Sequence, residues 1–449
     1  MAGPEPPAVE PQVSCFDRAW GESKHIALAV PSLAGGGAER VMLNLAGAFS
    51  ARGHRVDLIV CRAAGELQDQ VPDGVTLVEL RRASKAWSRL RVLAADPAGL
   101  ASLLRPVLLP INPSSGVRRL SDLVRYLRRE RPQILLSAMT DLNLVALWAR
   151  RLAGVPTHLV ICEHITLSQS VQADSNRRKW RYRFLPPLLA RTYPWAEAII
   201  AVSAGMADDL STLAKIPRER ILTIYNPVVT PDLEEKSRAS CDHPWFAPGS
   251  PPVLAVGRLS AQKDFPTLLR AFARVRALRT ARLVILGEGE ERTKLEALAG
   301  ELGIAADVAL PGFVLNPFPY FARAAVFVLS SVYEGLPTVV IEALACGCPV
   351  VSTDCPSGPA EILEGGRYGA LVRVGDVEAM AKAIHATLDG THDAERLKTR
   401  AAEFSLERAA EEYLAVLCGA RASRPACRPD DFGRKYHGDG HIEVSQARK

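Results

Sequence analysis

Apolar runs of four to six residues alternate with amphipathic stretches along most of this chain. That alternation leaves room for little except parallel sheets crossed by helices. In the first half the runs lie at 25–30, 56–60, 134–137, 158–162 and 198–202, with helical spacing at 38–51, 120–129 and 143–153. A charged, proline-containing stretch then leads to Pro252, and the plan repeats with runs at 253–256, 283–286, 325–330 and 349–352. Behind Asp264, a helix cap by type and position, Leu268, Leu269, Phe272, Val275 and Leu278 share one helical face. The pattern predicts an α/β chain of two Rossmann-like domains, at 24–230 and 252–403, facing across a cleft and joined by a linker at 231–251. Residues 1–23 and 419–449 are expected to be disordered; the latter stretch is short of large apolar residues and rich in Arg, Asp and Gly.

With 449 residues, 48% of them hydrophobic, two or three buried cores are available. The longest apolar stretch, 134–148, is interrupted by Asp141 and Asn143, short of the roughly 18–20 residues a spanning helix needs. The first ten residues lack the basic start and apolar core of an export signal, so a cytoplasmic location is expected. Nine scattered cysteines fit reduced thiols. Cys346-Gly-Cys348 is too tightly spaced for the usual zinc pair, and no metal site is expected.

Charge is uneven. Residues 1–230 carry 29 Lys and Arg against 20 Asp and Glu, so the first half holds +9 and the remainder −3 of the net +6. Part of the excess sits at 176–184, where Arg177, Arg178, Lys179, Arg181 and Arg183 alternate with Trp180, Tyr182 and Phe184. Such a mixture suits an anionic membrane surface. A solvated loop whose aromatics pack locally is the other reading; no nucleic-acid module surrounds it, and nucleic acid is not expected as a partner. Residues 81–115, with Pro106 and Pro110 flanking Val107-Leu-Leu109, read as an acceptor-side or membrane-facing loop.

The chemistry concentrates at strand ends. After the run at 325–330 come Glu334, Gly335, Leu336 and Pro337, then a helix that carries Glu342 about two turns on. Free amides at that helix start can hold a diphosphate, and carboxylates can accept from sugar hydroxyls. Gly257-Arg258 and Lys263 follow the first strand of the second half; two cations there can neutralise a diphosphate. Gly287-Glu-Gly289 and Gly312-Phe313 end at the same edge. In the first half, Gly35, Gly36 and Gly37 precede a helix but lack the dinucleotide spacing, which weakens a nicotinamide reading. His164 follows the run at 158–162 and points either to a ligand contact or to a structural role.

Taken in order, Gly257-Arg258, Lys263, Gly287-Glu-Gly289, Gly312-Phe313, Glu334 to Glu342 and Gly347-Cys-Pro-Val350 resemble the retaining glycosyltransferases of family four, with the GT-B fold, over residues 24–418. The Gly-Gly-Gly-Ala-Glu-Arg40 start is similar to members that build cell-surface glycans on lipid carriers. The resemblance implies a hexosyl- or N-acetylhexosaminyltransferase with no cofactor. Its donor would be a nucleotide sugar, UDP being the commoner nucleotide. Its acceptor would be a glycan or lipid-linked molecule at the inner membrane face. Arg258 and Lys263 would hold the diphosphate beside Gly257, and Glu342 the ribose. Glu334, with Gly335 and Leu336, would contact sugar and phosphate. Gly312 and Phe313 would face the base, Gly36 and Gly37 would approach the β-phosphate, and His164 would line the sugar pocket. A helix at 404–417 would cross back to the first domain. Presence of both glutamates and both cations argues against a non-catalytic sugar-nucleotide-binding or scaffold protein; a transferase with a soluble acceptor stays open.

Overall fold

In the computed structural model, which describes residues 22–110, 114–172, 183–247, 249 and 251–419, each half builds a parallel sheet. The first sheet contains β1 (His25–Val30), β2 (Arg55–Val60), β3 (Val75–Glu79), β4 (Ile134–Ala138), β5 (His158–Glu163), β6 (Ala198–Ala201) and β7 (Ile221–Thr223). Their order across the sheet is β3-β2-β1-β4-β5-β6-β7. The second contains β8 (Val253–Val256), β9 (Leu283–Leu286), β10 (Val308–Gly312), β11 (Val326–Leu329), β12 (Val350–Thr353) and β13 (Ala370–Val372), ordered β10-β9-β8-β11-β12-β13. Every pairing in both is parallel.

Helices cover both faces of each sheet, which is why central strands such as Ile26-Ala-Leu-Ala-Val30 are apolar at every position and fully buried. The helix Phe265–Leu278 starts where the sequence places it: the Asp264 side chain accepts from the Thr267 N–H, and Pro266 occupies the first turn, where its missing N–H costs nothing. Strand order reverses between β1 and β4 and again between β8 and β11. Chains leaving neighbouring strand ends diverge at such points and open a crevice.

Three details depart from expectation. The 81–115 segment is mostly helical rather than a loop: Lys85–Ala95, Leu100–Leu103 and a π turn at Leu104–Leu108 bury Val92, Leu103 and Val107 at helical spacing. The helix Thr338–Ala345 starts only after Pro337, so Glu342 lies little more than one turn in. Residues 231–251 include the helix Leu233–Arg238 and a turn whose buried Phe246 packs edge-on against Tyr320 at 5.0 Å. At the chain's end, Ser405 caps the helix Leu406–Leu417, which packs on Gly37–Ala51 of the first domain. Tyr413 there meets the Cys162 thiol at 3.3 Å. Of the segments expected to be disordered, 1–23 and 419–449, all but residues 22, 23 and 419 lie outside the described residues, as do Arg177, Arg178, Lys179, Trp180 and Arg181.

Candidate functional site

Three strand-end turns of the second sheet are stacked into one wall. The Gly257 N–H donates to Leu286 O at 2.9 Å, the Leu259 N–H to Glu288 O at 2.9 Å and the Gly287 N–H to Gly312 O at 2.8 Å. Gly287 has φ +143°, and a Cβ there would lie 2.0 Å from Gly257 O, so no side chain fits. On this wall Arg258 is exposed, Phe313 is 44% exposed, and Gly257 faces the Lys263 stem.

Lys263 itself turns inward. Its ammonium donates to Glu334 Oε1 at 2.6 Å, and Ser331 Oγ donates to the same oxygen at 2.6 Å. Glu334 is 8% exposed, so the cation and the hydroxyl compensate a carboxylate largely withdrawn from water. Lys263 and Glu334 come from the β8 and β11 loops, which leave the second sheet at its reversal point. Those loops are also tied by Ser330 Oγ to Lys263 O at 2.6 Å and Val332 N to Gln262 O at 2.9 Å.

The first domain closes on this cluster. Thr166 Oγ1 donates to Glu334 O at 2.6 Å, and Ser203 Oγ to Gly335 O at 2.9 Å. A Cβ on Gly335 would lie 2.6 Å from His164 O, so the glycine permits the approach of the two domains at the expected sugar subsite. Both ring nitrogens of His164 are shut off from solvent and lack a hydrogen-bond partner. Burial pushes this imidazole down to about 4, leaving it neutral at neutral pH. Such an orphaned polar ring is suited to meet a ligand hydroxyl. Behind it, Glu163 accepts from Thr140 Oγ1 at 2.8 Å, Asn143 Nδ2 at 3.0 Å and Tyr193 Oη; burial outweighs these donors and raises the carboxyl to about 7.

Glu342 makes no hydrogen bond to the Lys263–Glu334 pair; it is 9% exposed and lines a cavity of about 340 Å3 with Thr338, Gly37, Arg40 and Asn44. Desolvation raises its carboxyl, while the charges of Arg40 and Lys263 pull the other way. Gly36 caps the helix Gly37–Ala51 without a side-chain bond, and that helix start lies beside Thr338: a Cβ on Gly37 would come within 3.9 Å of Thr338 Oγ1. Leu336 is buried under the turn. The fold therefore brings Lys263, Glu334, Gly335 and His164 together, places Gly37 and Glu342 on one cavity, and leaves Arg258 on the rim. Arg183 is exposed.

Sequence reasoning passed over Thr166, Ser203, Arg40 and Glu361. Glu361 spans the domains, accepting from the Ala204 N–H at 2.8 Å, the Gly205 N–H at 2.9 Å and Tyr225 Oη at 3.2 Å. A serine directly after the run at 198–202 is a helix-cap signal that could have located the first-domain side of this contact, but nothing local names its partner. Among the described residues no group of three His, Cys, Asp or Glu is placed to hold a metal ion, and no helix is long and apolar enough to cross a membrane.

Two facing parallel α/β domains with a ligand-sized crevice between strand ends define the GT-B class, and solved structures agree. The lipopolysaccharide outer core galactosyltransferase WaaB superposes with a TM-score of 0.62 at 19% identity, over 88% of this chain and 99% of WaaB. Anabaena HepE in complex with UDP and glucose gives 0.66 at 20%, over 88% and 100%. Residues 35–231 match the family described as Glycosyltransferase Family 4, and 250–390 the one described as Glycosyl transferases group 1. The N-acetylgalactosamine-N,N'-diacetylbacillosaminyl-diphospho-undecaprenol 4-alpha-N-acetylgalactosaminyltransferase of Campylobacter jejuni is 35% identical over 281 residues, 62% of this chain and 74% of the relative. The lipopolysaccharide core biosynthesis glycosyltransferase LpsE of Rhizobium meliloti is 35% identical over 234 residues, 51% and 65%. The chain belongs to glycosyltransferase family 4.

Proposed function

We propose that this glycosyltransferase is a retaining hexosyl- or N-acetylhexosaminyltransferase that takes sugar from a UDP-linked donor. Its acceptor is a lipid-linked or polysaccharide molecule at the cytoplasmic membrane face, in cell-surface glycan synthesis. The observation that carries the reading is the inward Lys263–Glu334 pair beside Gly335 and the orphaned His164 ring. The relatives named above support the acceptor class, since one bears a diphospho-undecaprenol acceptor in its name and another serves lipopolysaccharide core synthesis. HepE, solved with UDP, supports the nucleotide.

In this reading 252–403 bind the donor, 24–230 the acceptor, and 404–418 return to the first domain. The donor diphosphate exchanges its hydration for Lys263, Arg258 on the rim, the free amides at Thr338 and the backbone at Gly36 and Gly37. Negative charge grows on that diphosphate as the glycosidic bond breaks, so a fixed cation near it lowers the barrier. Glu342 accepts from the ribose hydroxyls; the base lies against the turn at Gly312 and Phe313. Glu334 and His164 border the sugar. The acceptor hydroxyl attacks from the face the diphosphate leaves, a donor phosphate oxygen takes its proton, and the α configuration is kept.

Thermal melting of the full chain with UDP, GDP and their sugar conjugates tests the donor half, because a ligand bound only by the folded state raises the transition. A shift confined to one UDP-sugar, lost in Glu342→Ala, is expected; no shift with any conjugate refutes the donor assignment. The anomeric proton coupling of the product then separates retention from inversion.

A further inference from the structure

The helical lobe that replaced the expected loop at 81–115 has an unusual surface. Five of the eleven exposed large apolar side chains among the described residues lie between positions 87 and 109: Trp87, Leu90, Leu100, Leu104 and Leu109. Three are 51–55% exposed and the other two at least 40%, so they are not the rim of a core. Trp87 and Leu90 stand one turn apart on the helix Lys85–Ala95; Leu100 opens the next helix and Leu104, four residues on, opens the π turn that continues it. One bond ties the first helix to the end of the second run: the Arg89 guanidinium donates to Pro110 O at 2.5 Å. Scattered exposed leucines need no explanation, but a cluster of this density does.

Charge on the same lobe has one sign. Between Leu80 and Ser121 the sequence holds a single acid, Asp96. That acid is 1% exposed and is neutralised by Arg191 through two bonds, Nε to Oδ2 at 2.8 Å and Nη2 to Oδ1 at 2.7 Å. Arg81, Arg82, Lys85 and Arg105 are exposed, and Arg89 and Arg91 half-buried. Two of these cations lie over aromatic rings, Arg91 at 5.2 Å from the Trp87 centroid and Arg105 at 4.5 Å from that of Phe184. Basic and apolar groups are thus interleaved along the lobe, whose own single carboxylate is buried and paired; the exposed Asp141 of the neighbouring helix borders it at Pro106 and Val107.

We infer that the lobe spanning Lys85 to Leu109 is the surface by which this enzyme docks on an anionic lipid bilayer. Trp87 and the four leucines enter the headgroup–acyl boundary, and the arginines and Lys85 meet lipid phosphate. Interfacial binding draws on both terms, buried apolar area and attraction to anionic headgroups, and this lobe supplies both. A nucleic acid would satisfy the cations but leave the leucines in water, so the bilayer fits better. The inference deepens the membrane-face part of the proposed function and adds the site, which is separate from the donor cluster. Docking here would set the first domain, where the acceptor is proposed to bind, beside the membrane.

Vesicle flotation of the full chain, with phosphatidylcholine alone and with 30% phosphatidylglycerol, decides the matter, where the composition is roughly that of an anionic leaflet. The wild type is expected to float with anionic vesicles and not with neutral ones. Trp87→Ser with Leu90→Ser is expected to lower the bound fraction about tenfold while the melting temperature and UDP-sugar binding stay unchanged, since both side chains are exposed. Brominated lipid should quench wild-type tryptophan fluorescence and quench Trp87→Phe less. Absence of wild-type binding to anionic vesicles overturns the inference. So does unchanged flotation of the double variant, which would move docking to the stretch at 177–183, and so does binding to an oligonucleotide in place of vesicles. Transfer to a water-soluble acceptor analogue, run in parallel, reports on the transferase reading alone, so failure of that reading is told apart from failure of docking.

Discussion

Glu361→Gln should loosen the closed arrangement of the two domains without unfolding either. Glu361 follows β12 in the second domain, yet both its oxygens are spent on the first, on the N–H groups of Ala204 and Gly205 at the start of the helix Ala204–Ala214. Those are free amides at the positive end of a helix, where a carboxylate is favoured. The contact is tight: a Cβ on Gly205 would lie 3.0 Å from Ser357 Oγ, and Ser357 and Gly358 hold positive φ of 67° and 92° to make the turn. Glutamine keeps one acceptor oxygen and turns the other into a donor facing an N–H. A bond from a backbone amide to a charged group contributes about 1.5–3 kcal/mol, and burial of Glu361, which raises its carboxyl, offsets part of that. A net loss of about 2 kcal/mol falls on the closed state, because each domain keeps its own sheet. That is roughly a thirtyfold drop in the closed-to-open ratio. Small-angle scattering should show a larger radius of gyration for the variant, restored by a UDP-sugar, and donor KM should rise more than kcat falls. Identical scattering and kinetics in variant and wild type would refute the reasoning. So would a lower melting temperature with the closed dimensions intact.

Other substitutions separate the roles at the site. Lys263→Ala leaves the Glu334 carboxylate to the Ser331 hydroxyl and removes a cation from the proposed leaving group. Turnover at saturating donor is expected to fall by two to three orders of magnitude, about 3–4 kcal/mol, and normal turnover would end the diphosphate assignment. Glu342→Ala should weaken UDP binding about tenfold by calorimetry with a small effect on turnover; an unchanged Kd would take the ribose away from this cavity. Glu163 supplies a pH test. Its carboxyl is raised to about 7, so between roughly pH 4.5 and 7 the folded state holds a proton that the unfolded chain has released, and stability falls as pH rises through that window. The loss is on the order of 3 kcal/mol, and Glu163→Gln should flatten that part of the slope in urea unfolding at pH 5 and 8; parallel slopes would mean Glu163 is not the titrating group.

What could be read from the sequence follows a physical divide. Runs at nine positions announced β1, β2, β4, β5, β6, β8, β9, β11 and β12, each buried along nearly its whole length and so mostly apolar, with Asp57, Ser137, Glu163, Ser352 and Thr353 as buried polar exceptions. The four strands that gave no signal, β3, β7, β10 and β13, are the four sheet edges. An edge strand is covered less, so Val75-Thr-Leu-Val-Glu79 tolerates Thr and Glu, and Val308–Gly312 tolerates a proline whose missing N–H a central strand could not spare. The site divides in the same way. Glu334, Gly335 and Lys263 were legible because a strand end, a glycine and a helix start are local signals. Thr166, Ser203 and Glu361 were not, because each bonds backbone more than a hundred residues away in the other domain: Thr166 meets Glu334 across 168 positions, Ser203 meets Gly335 across 132, and Glu361 meets Ala204 across 157. A hydroxyl or carboxylate that caps a distant turn has no periodicity to betray it, and its own neighbours read as an ordinary loop. The groups that hold the cleft closed are therefore the ones local pattern cannot reach, and Glu361→Gln probes a contact that only the folded chain reveals.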